Sequence, residues 1–191
     1  MLALLLSFQL LMGGINLAPE TRQIDPTKSK IQWTARKVGG SHTGIVQLKS
    51  GQLIMDKEQL VGGSFSVDMT TITDTDLSGE YRQKLENHLK SDDFFGVGSH
   101  PLAIFEITRV VPLGPGQFNV SGNLTIKGIT REISFPASVE KKNGRYYATS
   151  EITIDRSEFD IRYRSESFFD NLGDTVIYDE FVLNVRLETE A

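Results

Sequence analysis

Polar and apolar residues alternate along most of this chain. In "GSFSVDMTT", Phe65, Val67 and Met69 oppose Ser64, Ser66, Asp68 and Thr70. "QFNVSGNLTIKG" sets Phe118, Val120, Gly122, Leu124 and Ile126 against Asn119, Ser121, Asn123, Thr125 and Lys127. "EFVLNVRLE" puts Phe181, Leu183, Val185 and Leu187 on one face. A period of two is the mark of strands with one face out of water. Weaker alternation predicts further strands over Ile31–Val38, Thr43–Leu48, Gln52–Met55, Leu102–Val110, Glu132–Val139 and Arg145–Ile154. The Asn-Gly pair in "KNGR" (Lys142–Arg145) suits a tight hairpin, and "KSGQ", "VGGS" and "PLGPGQ" are read as further strand ends. Such strands, joined without crossover helices, describe an antiparallel meander closed into a barrel or folded as a sandwich.

One segment breaks the alternation. In "DLSGEYRQKLENHLKSDDFF", Leu77, Tyr81, Leu85 and Leu89 recur every fourth residue, which predicts one helix. Gly79 weakens its first turn, so the helix is placed at Glu80–Lys90, roughly residues 80–90. Ser91, Asp92 and Asp93 then compete for backbone hydrogen bonds and favour an exit. Phe94 and Phe95 follow directly, where the helix gives way to a strand. They either plug a core or line a place where something apolar is held.

Charge narrows the classes. The net charge is −5 and no basic run is present, which argues against nucleic acid as a partner. Cysteine is absent, which removes disulfides, thiolate catalysis and cysteine–zinc sites. The uncharged segment Met1–Pro19 has an apolar centre, Leu2–Met12, of the length of a signal-peptide core and too short for a spanning helix. It lacks a preceding Lys or Arg and offers only Gly13, Gly14 and Ala18 as small residues near a cleavage point. A signal peptide over residues 1–18 is the expectation, with a periplasmic or secreted mature protein; a buried N-terminal helix is the alternative.

Candidate chemistry is sparse. The three histidines, His42, His88 and His100, do not form an H-E-x-x-H pair, and Asp74 and Asp76 in "TDTDL" lack EF-hand spacing, so no metal is expected. There is no G-x-S-x-G elbow. Ser91 lies three residues from His88, but at a helix C-terminus that position is a cap or turn. Among 25 acidic residues, carboxylate pairs suggestive of hydrolysis arise by chance. No catalytic residue and no cofactor is expected.

Four blocks, taken together, resemble the YceI-like family, bacterial proteins with a lipocalin-like barrel that holds a polyisoprenoid lipid. They are "IDPTKSKIQWTARKVGGSHTG" with Trp33 and Gly44, and "NHLKSDDFFGVGSHPLAIFEIT" with His88, Leu89, Ser91, Asp93, Phe94, Pro101 and Phe105. "VSGNLTIKGITREISFP" contributes Gly122, Leu124, Thr125, Gly128 and Thr130, and "ITIDRSEFDI" contributes Arg156 and Phe159. The resemblance runs from Ile24 to Leu187 with the blocks in order. It implies an all-β fold: an antiparallel lipocalin-like barrel of about eight strands with one inserted helix, as a single lipid-binding domain over residues 24–189.

The function implied is an exported carrier holding an isoprenoid or similar long-chain lipid. Burial is worth ~0.8 kcal/mol per methylene, so twenty buried carbons supply ~16 kcal/mol gross, ample after immobilisation costs. The expected cavity wall comprises Trp33, Phe65, Val67 and Met69, then Phe105, Val120, Leu124 and Ile126. Leu85, Leu89, Phe94, Phe95 and Phe159 would close it. Arg36, Lys37, His88 and Lys127 are the candidates for a ligand headgroup. Apolar positions on strand edges admit a homodimer. Two other readings stand beside this one: an enzyme acting on a lipid with His88 as general base, and a structural barrel filled by side chains.

Overall fold

The computed structural model describes residues 18–190; the expected signal peptide, residues 1–18, lies outside them but for Ala18. The chain runs β1 (Glu20–Gln23), β2 (Lys30–Lys37), β3 (Gly40–Asp56), β4 (Gln59–Asp74), α1 (Gly79–Lys90), β5 (Leu102–Gly114), β6 (Gln117–Ile126), β7 (Ile129–Lys142), β8 (Arg145–Asp155) and β9 (Ile177–Glu188). All pairings are antiparallel. The order β3-β2-β9-β8-β7-β6-β5-β4 returns to β3 through the β3–β4 ladder, which closes an eight-stranded barrel. The short β1 is additional: it lies beside the second half of β3, past the end of β2's pairing.

Two expected turns are strand interior instead. The stretches Thr43–Leu48 and Gln52–Met55 belong to one continuous β3, and "KSGQ" is a register shift between Leu48 and Ser50. "VGGS" likewise lies inside β4. These glycines serve close approach rather than reversal: a Cβ on Gly51 would stand 2.8 Å from the Phe65 ring, and one on Gly63 would stand 2.6 Å from the Gln52 carbonyl. At "KNGR" the expected hairpin forms, with Asn143 and Gly144 both at positive φ as a type I′ turn requires.

The barrel has two unlike ends. At the hairpin end, where β3–β4, β5–β6 and β7–β8 turn, Leu53, Met55, Phe118 and Tyr146 are fully buried and seal the interior. The Tyr146 hydroxyl donates to Glu20 Oε1 at 3.2 Å and its N–H to Thr189 Oγ1 at 2.9 Å, so β1 and the chain's end close over it. At the other end, which carries α1 and the long β8–β9 connection, two ladders stop short.

The first is β4–β5, which pairs only Ser64–Asp68 with Leu102–Glu106. Beyond it, α1 packs on β4 in place of a strand. Glu86 makes the join. Its Oε1 accepts from the Asp74 N–H at 3.0 Å, from Arg82 Nε at 2.9 Å and from the Thr73 hydroxyl.

The second is β7–β8, whose ladder ends at Ser138↔Thr149. The residue that ends it is Pro136. Ser150 Oγ donates to the Pro136 carbonyl at 2.7 Å, which shows that this carbonyl faces β8. A strand residue's N–H and C=O point to the same side, so the donor that proline lacks is the one β8 would have used. From there β7 and β8 diverge, and Ile133, Phe135 and Ile152 on their inward faces stay partly exposed. Outside the fork lies a shallow groove, which shares Ala137, Thr149, Ser150 and Val185 with the barrel interior.

The Glu86 join generates a pH prediction. Hydrogen bonds from Thr73, Arg82 and Asp74 hold this carboxyl at about 2 against an ordinary 4.5. A depressed folded-state value contributes stability that is full above pH 4.5 and is lost as pH falls toward 2. Glu86→Gln should lower the unfolding temperature at neutral pH and flatten its fall across that acid window, read by thermal unfolding as a function of pH.

Candidate functional site

Between the sealed end and the helix end lies a cavity of about 210 Å³ with an almost wholly apolar wall. The alternation seen in the sequence delivers that wall, because each strand turns every second side chain inward. Trp33, Phe65, Val67 and Met69 line one side and Phe105, Val120, Leu124 and Ile126 another. Leu89, Phe94 and Phe95 line it at the helix end.

Two expected wall residues lie elsewhere. Leu85, one turn before Leu89, packs against the core without reaching the cavity. Phe159 is fully buried in the 3-10 turn Arg156–Phe159, where its ring belongs to the packed closure of the helix end. The expected wall also omits residues that face the cavity. Phe181, Leu183 and Val185 of β9 line it, on a face the alternation marks plainly, as do Phe135 and Ile152 beside the fork.

The turn after α1 explains the phenylalanine doublet. The last carbonyls of the helix are taken up locally: Phe95 N–H donates to Leu89 O at 3.1 Å, Gly96 N–H to Ser91 O at 2.8 Å and Val97 N–H to Lys90 O at 2.9 Å. Gly96 holds positive φ, which reverses the chain and folds both rings back over the barrel mouth. Phe94 is then packed edge-on against His88, with ring centres 4.9 Å apart.

None of the four headgroup candidates lines the cavity. Arg36 and Lys37 are exposed at the end of β2, and Arg36 lies over the Tyr178 ring. Lys127 Nζ is committed to the Asp92 and Asp160 carbonyls, at 2.8 and 3.4 Å, tying two loops together. His88 is wedged between Phe94 and Tyr163, with Nε2 3.1 Å from Asp93 Oδ2. Strand and helix ends bring these side chains to the rim, where Arg36 and Lys37 reach water and Lys127 and His88 are taken up by the loops, and none turns into the barrel.

The polar groups that do reach the wall are few. Arg156 is the charged one, and it is buried and occupied. Its guanidinium donates to the carbonyls of Tyr178, Ile161 and Ile177 at 3.3, 2.8 and 2.8 Å and pairs with Asp179 at 3.1 Å. Burial pulls its pKa down, while Asp179 and Asp155 act to raise it. Arg156 therefore fastens the 3-10 turn to β9. Trp33 is different: its buried indole N–H has no partner among the described residues. The ring packs against Gly44, where a Cβ would come within 2.3 Å of the indole and 2.0 Å of the Thr73 carbonyl.

A closed antiparallel barrel around an almost wholly apolar interior, whose charged wall residue among the described residues, Arg156, is already paired, defines a lipocalin-like container. The chain belongs to the YceI-like domain family, which it matches over residues 23–189. A UPF0312 protein of Shewanella denitrificans is 28% identical over 139 residues, 72% of this chain and 71% of that one. A UPF0312 protein of Vibrio parahaemolyticus is 30% identical over 103 residues, a match that spans about half of each chain. Among solved structures, Burkholderia cenocepacia BcnA superposes with a TM-score of 0.73 at 20% identity, over 87% of this chain and 99% of that one. A polyisoprenoid binding domain from Saccharophagus degradans, implicated in plant cell wall breakdown, gives 0.68 at 16% identity, over 88% and 97%. At these identities the structural likeness establishes the shared fold.

The Trp33–Gly44 contact yields a second prediction. In Gly44→Ala the new methyl meets backbone on one side and the indole on the other, neither free to withdraw. The loss should be at least ~1–3 kcal/mol, read by urea unfolding. Gly98→Ala, where a Cβ meets nothing within 4 Å, should be near neutral.

Proposed function

We propose that the protein is an exported carrier that holds an isoprenoid or similarly long apolar lipid inside the barrel. The observation that carries this reading is the cavity wall: apolar side chains from every barrel strand and from the turn after α1, with its one charged group already satisfied. The polyisoprenoid binding domain of S. degradans, which has the same fold, supports the same ligand class. Export rests on the uncharged Met1–Pro19 segment. Catalysis on the lipid is disfavoured, because His88, the one base considered for it, is packed between two aromatic rings and does not face the interior.

A cavity of about 210 Å³ is smaller than the 300–1,000 Å³ of pockets that enclose drug-sized ligands. A long chain therefore extends beyond it, and the fork between β7 and β8 is the gap in the wall. In this reading the tail occupies the interior and the head stays at an opening, where a charge keeps its water. The unpartnered Trp33 N–H offers one hydrogen bond to an uncharged oxygen on the buried part.

Organic extraction of protein purified from its native host, followed by mass spectrometry, should yield a stoichiometric long-chain lipid. An empty extract would count against the carrier reading. Val120 lies on the inner face of β6, opposite Phe135. Val120→Trp should leave delipidated protein folded while reducing lipid affinity sharply, since the indole displaces several carbons at ~0.8 kcal/mol each. Strong destabilisation with unchanged binding by the folded fraction would show a packed core at this position.

The fork has its own test. Pro136→Val restores the missing donor and lets the β7–β8 ladder extend. Lipid uptake and release should both slow severalfold at nearly constant affinity, followed by stopped-flow transfer from vesicles. Unchanged rates would place the route away from the fork, under α1 and the Phe94–Phe95 turn.

A further inference from the structure

We propose that His42, Asp74 and Asp76 form a binding site for one divalent metal ion, with a donor set suited to zinc. The three come from separate elements that converge where the β3–β4 ladder ends. His42 is on β3, Asp74 is the last residue of β4, and Asp76 lies in the connection to α1. Gly44↔Asp74 register and a 2.9 Å hydrogen bond from Thr75 N–H to Thr43 O bring them side by side. One ligand atom from each lies within 4.8 Å of the other two. At bond lengths of roughly 2.0–2.2 Å, the donors of a tetrahedral ion stand about 3.3–3.6 Å apart, so the three must draw in by about an ångström at most.

Each carboxylate is oriented in the same way. Asp74 Oδ1 accepts from the N–H groups of Leu77 and Asp76, at 2.7 and 3.2 Å. Asp76 Oδ1 accepts from the Thr43 N–H at 2.6 Å. The backbone thus holds one oxygen of each and leaves both Oδ2 atoms as donors. Asp76 Oδ2 stands 2.9 Å from His42 Nδ1.

The observation that asks for a ligand is Asp74 Oδ2. Its residue is wholly buried, yet this oxygen has no hydrogen-bond partner among the described residues. A buried carboxylate oxygen without a donor is costly unless a proton or a cation meets it. The nearby Arg82 does not serve, since it is spent on Glu86 and Thr73. One imidazole with two carboxylates fits zinc, whereas calcium takes oxygen ligands throughout. Asp76 remains partly exposed, which leaves room for water to complete the shell. The ion would pin the connection before α1 onto β3, and so hold the helix that stands in for the missing β4–β5 pairing.

The test uses the whole mature protein, stripped with chelator and titrated with zinc alone by calorimetry. One equivalent should bind, and the unfolding temperature should rise with zinc. Asp74→Asn and His42→Ala should each weaken binding at least tenfold, while Glu80→Gln, an exposed acid on α1, should not change it. Should Asp74→Asn fail to fold, the partly exposed His42→Ala still decides. No binding to the wild type, or binding untouched by these variants, would overturn the proposal and leave a shared proton to satisfy Asp74. Preference for calcium over zinc would overturn the choice of ion.

Discussion

The hydrogen-bonded seam between β3 and β4 is the interaction on which the rest of the molecule depends. Without it the sheet has two free edges and no interior. With it, a single curved sheet meets itself and every second side chain is turned toward a common axis. The seam runs through three register shifts, which bend two long strands enough to meet. It also demands glycine where backbones crowd, most severely at Gly44, where Thr73 and Trp33 leave no space for a side chain.

From that seam follows the asymmetry of the barrel. Its hairpin end is a packed core: short turns, a buried tyrosine whose hydroxyl is satisfied, and β1 laid across the gap. Its helix end is completed by parts that are not sheet, α1 and the β8–β9 connection. Neighbouring strands separate there twice, and each separation is handled differently. Beside β4 the Asp74 N–H is met by the carboxylate of Glu86 from α1. Beside β7 the donor is missing from the outset, because Pro136 has none, and a serine hydroxyl takes the carbonyl instead. The first gap is filled and the second remains a fork.

Much of this was legible in the sequence, and the limits have physical causes. Alternation locates the barrel strands and their inward faces, because burial on one side of a pleated strand leaves a period-two imprint. It does not separate a side chain that meets other side chains from one that meets a cavity: Phe118 and Val120 share a strand face, yet only Val120 reaches the cavity wall. Glycine at "KSGQ" and "VGGS" does not tell a turn from a strand interior, because the residue that permits a turn also permits close approach. The strand β1, "ETRQ", is uniformly polar and sits at an edge, so no periodicity announces it. Nearness to strand ends marks Arg36, Lys37 and Lys127 as rim cations, but direction at a rim depends on loops that sequence does not orient. Glu86 and Arg156 organise two loops through backbone groups, and such partners lie far apart along the chain.

Trp33 is the only tryptophan in the chain. Its indole is buried against Gly44, on the wall of the cavity, with the N–H unmatched. Every photon of tryptophan emission therefore originates at one point on the inner surface, in surroundings that differ between a hydrated and a hydrocarbon-filled interior. The protein is in this sense its own optical gauge of occupancy, and the tight seat that forbids a side chain at position 44 also keeps the fluorophore in a single orientation.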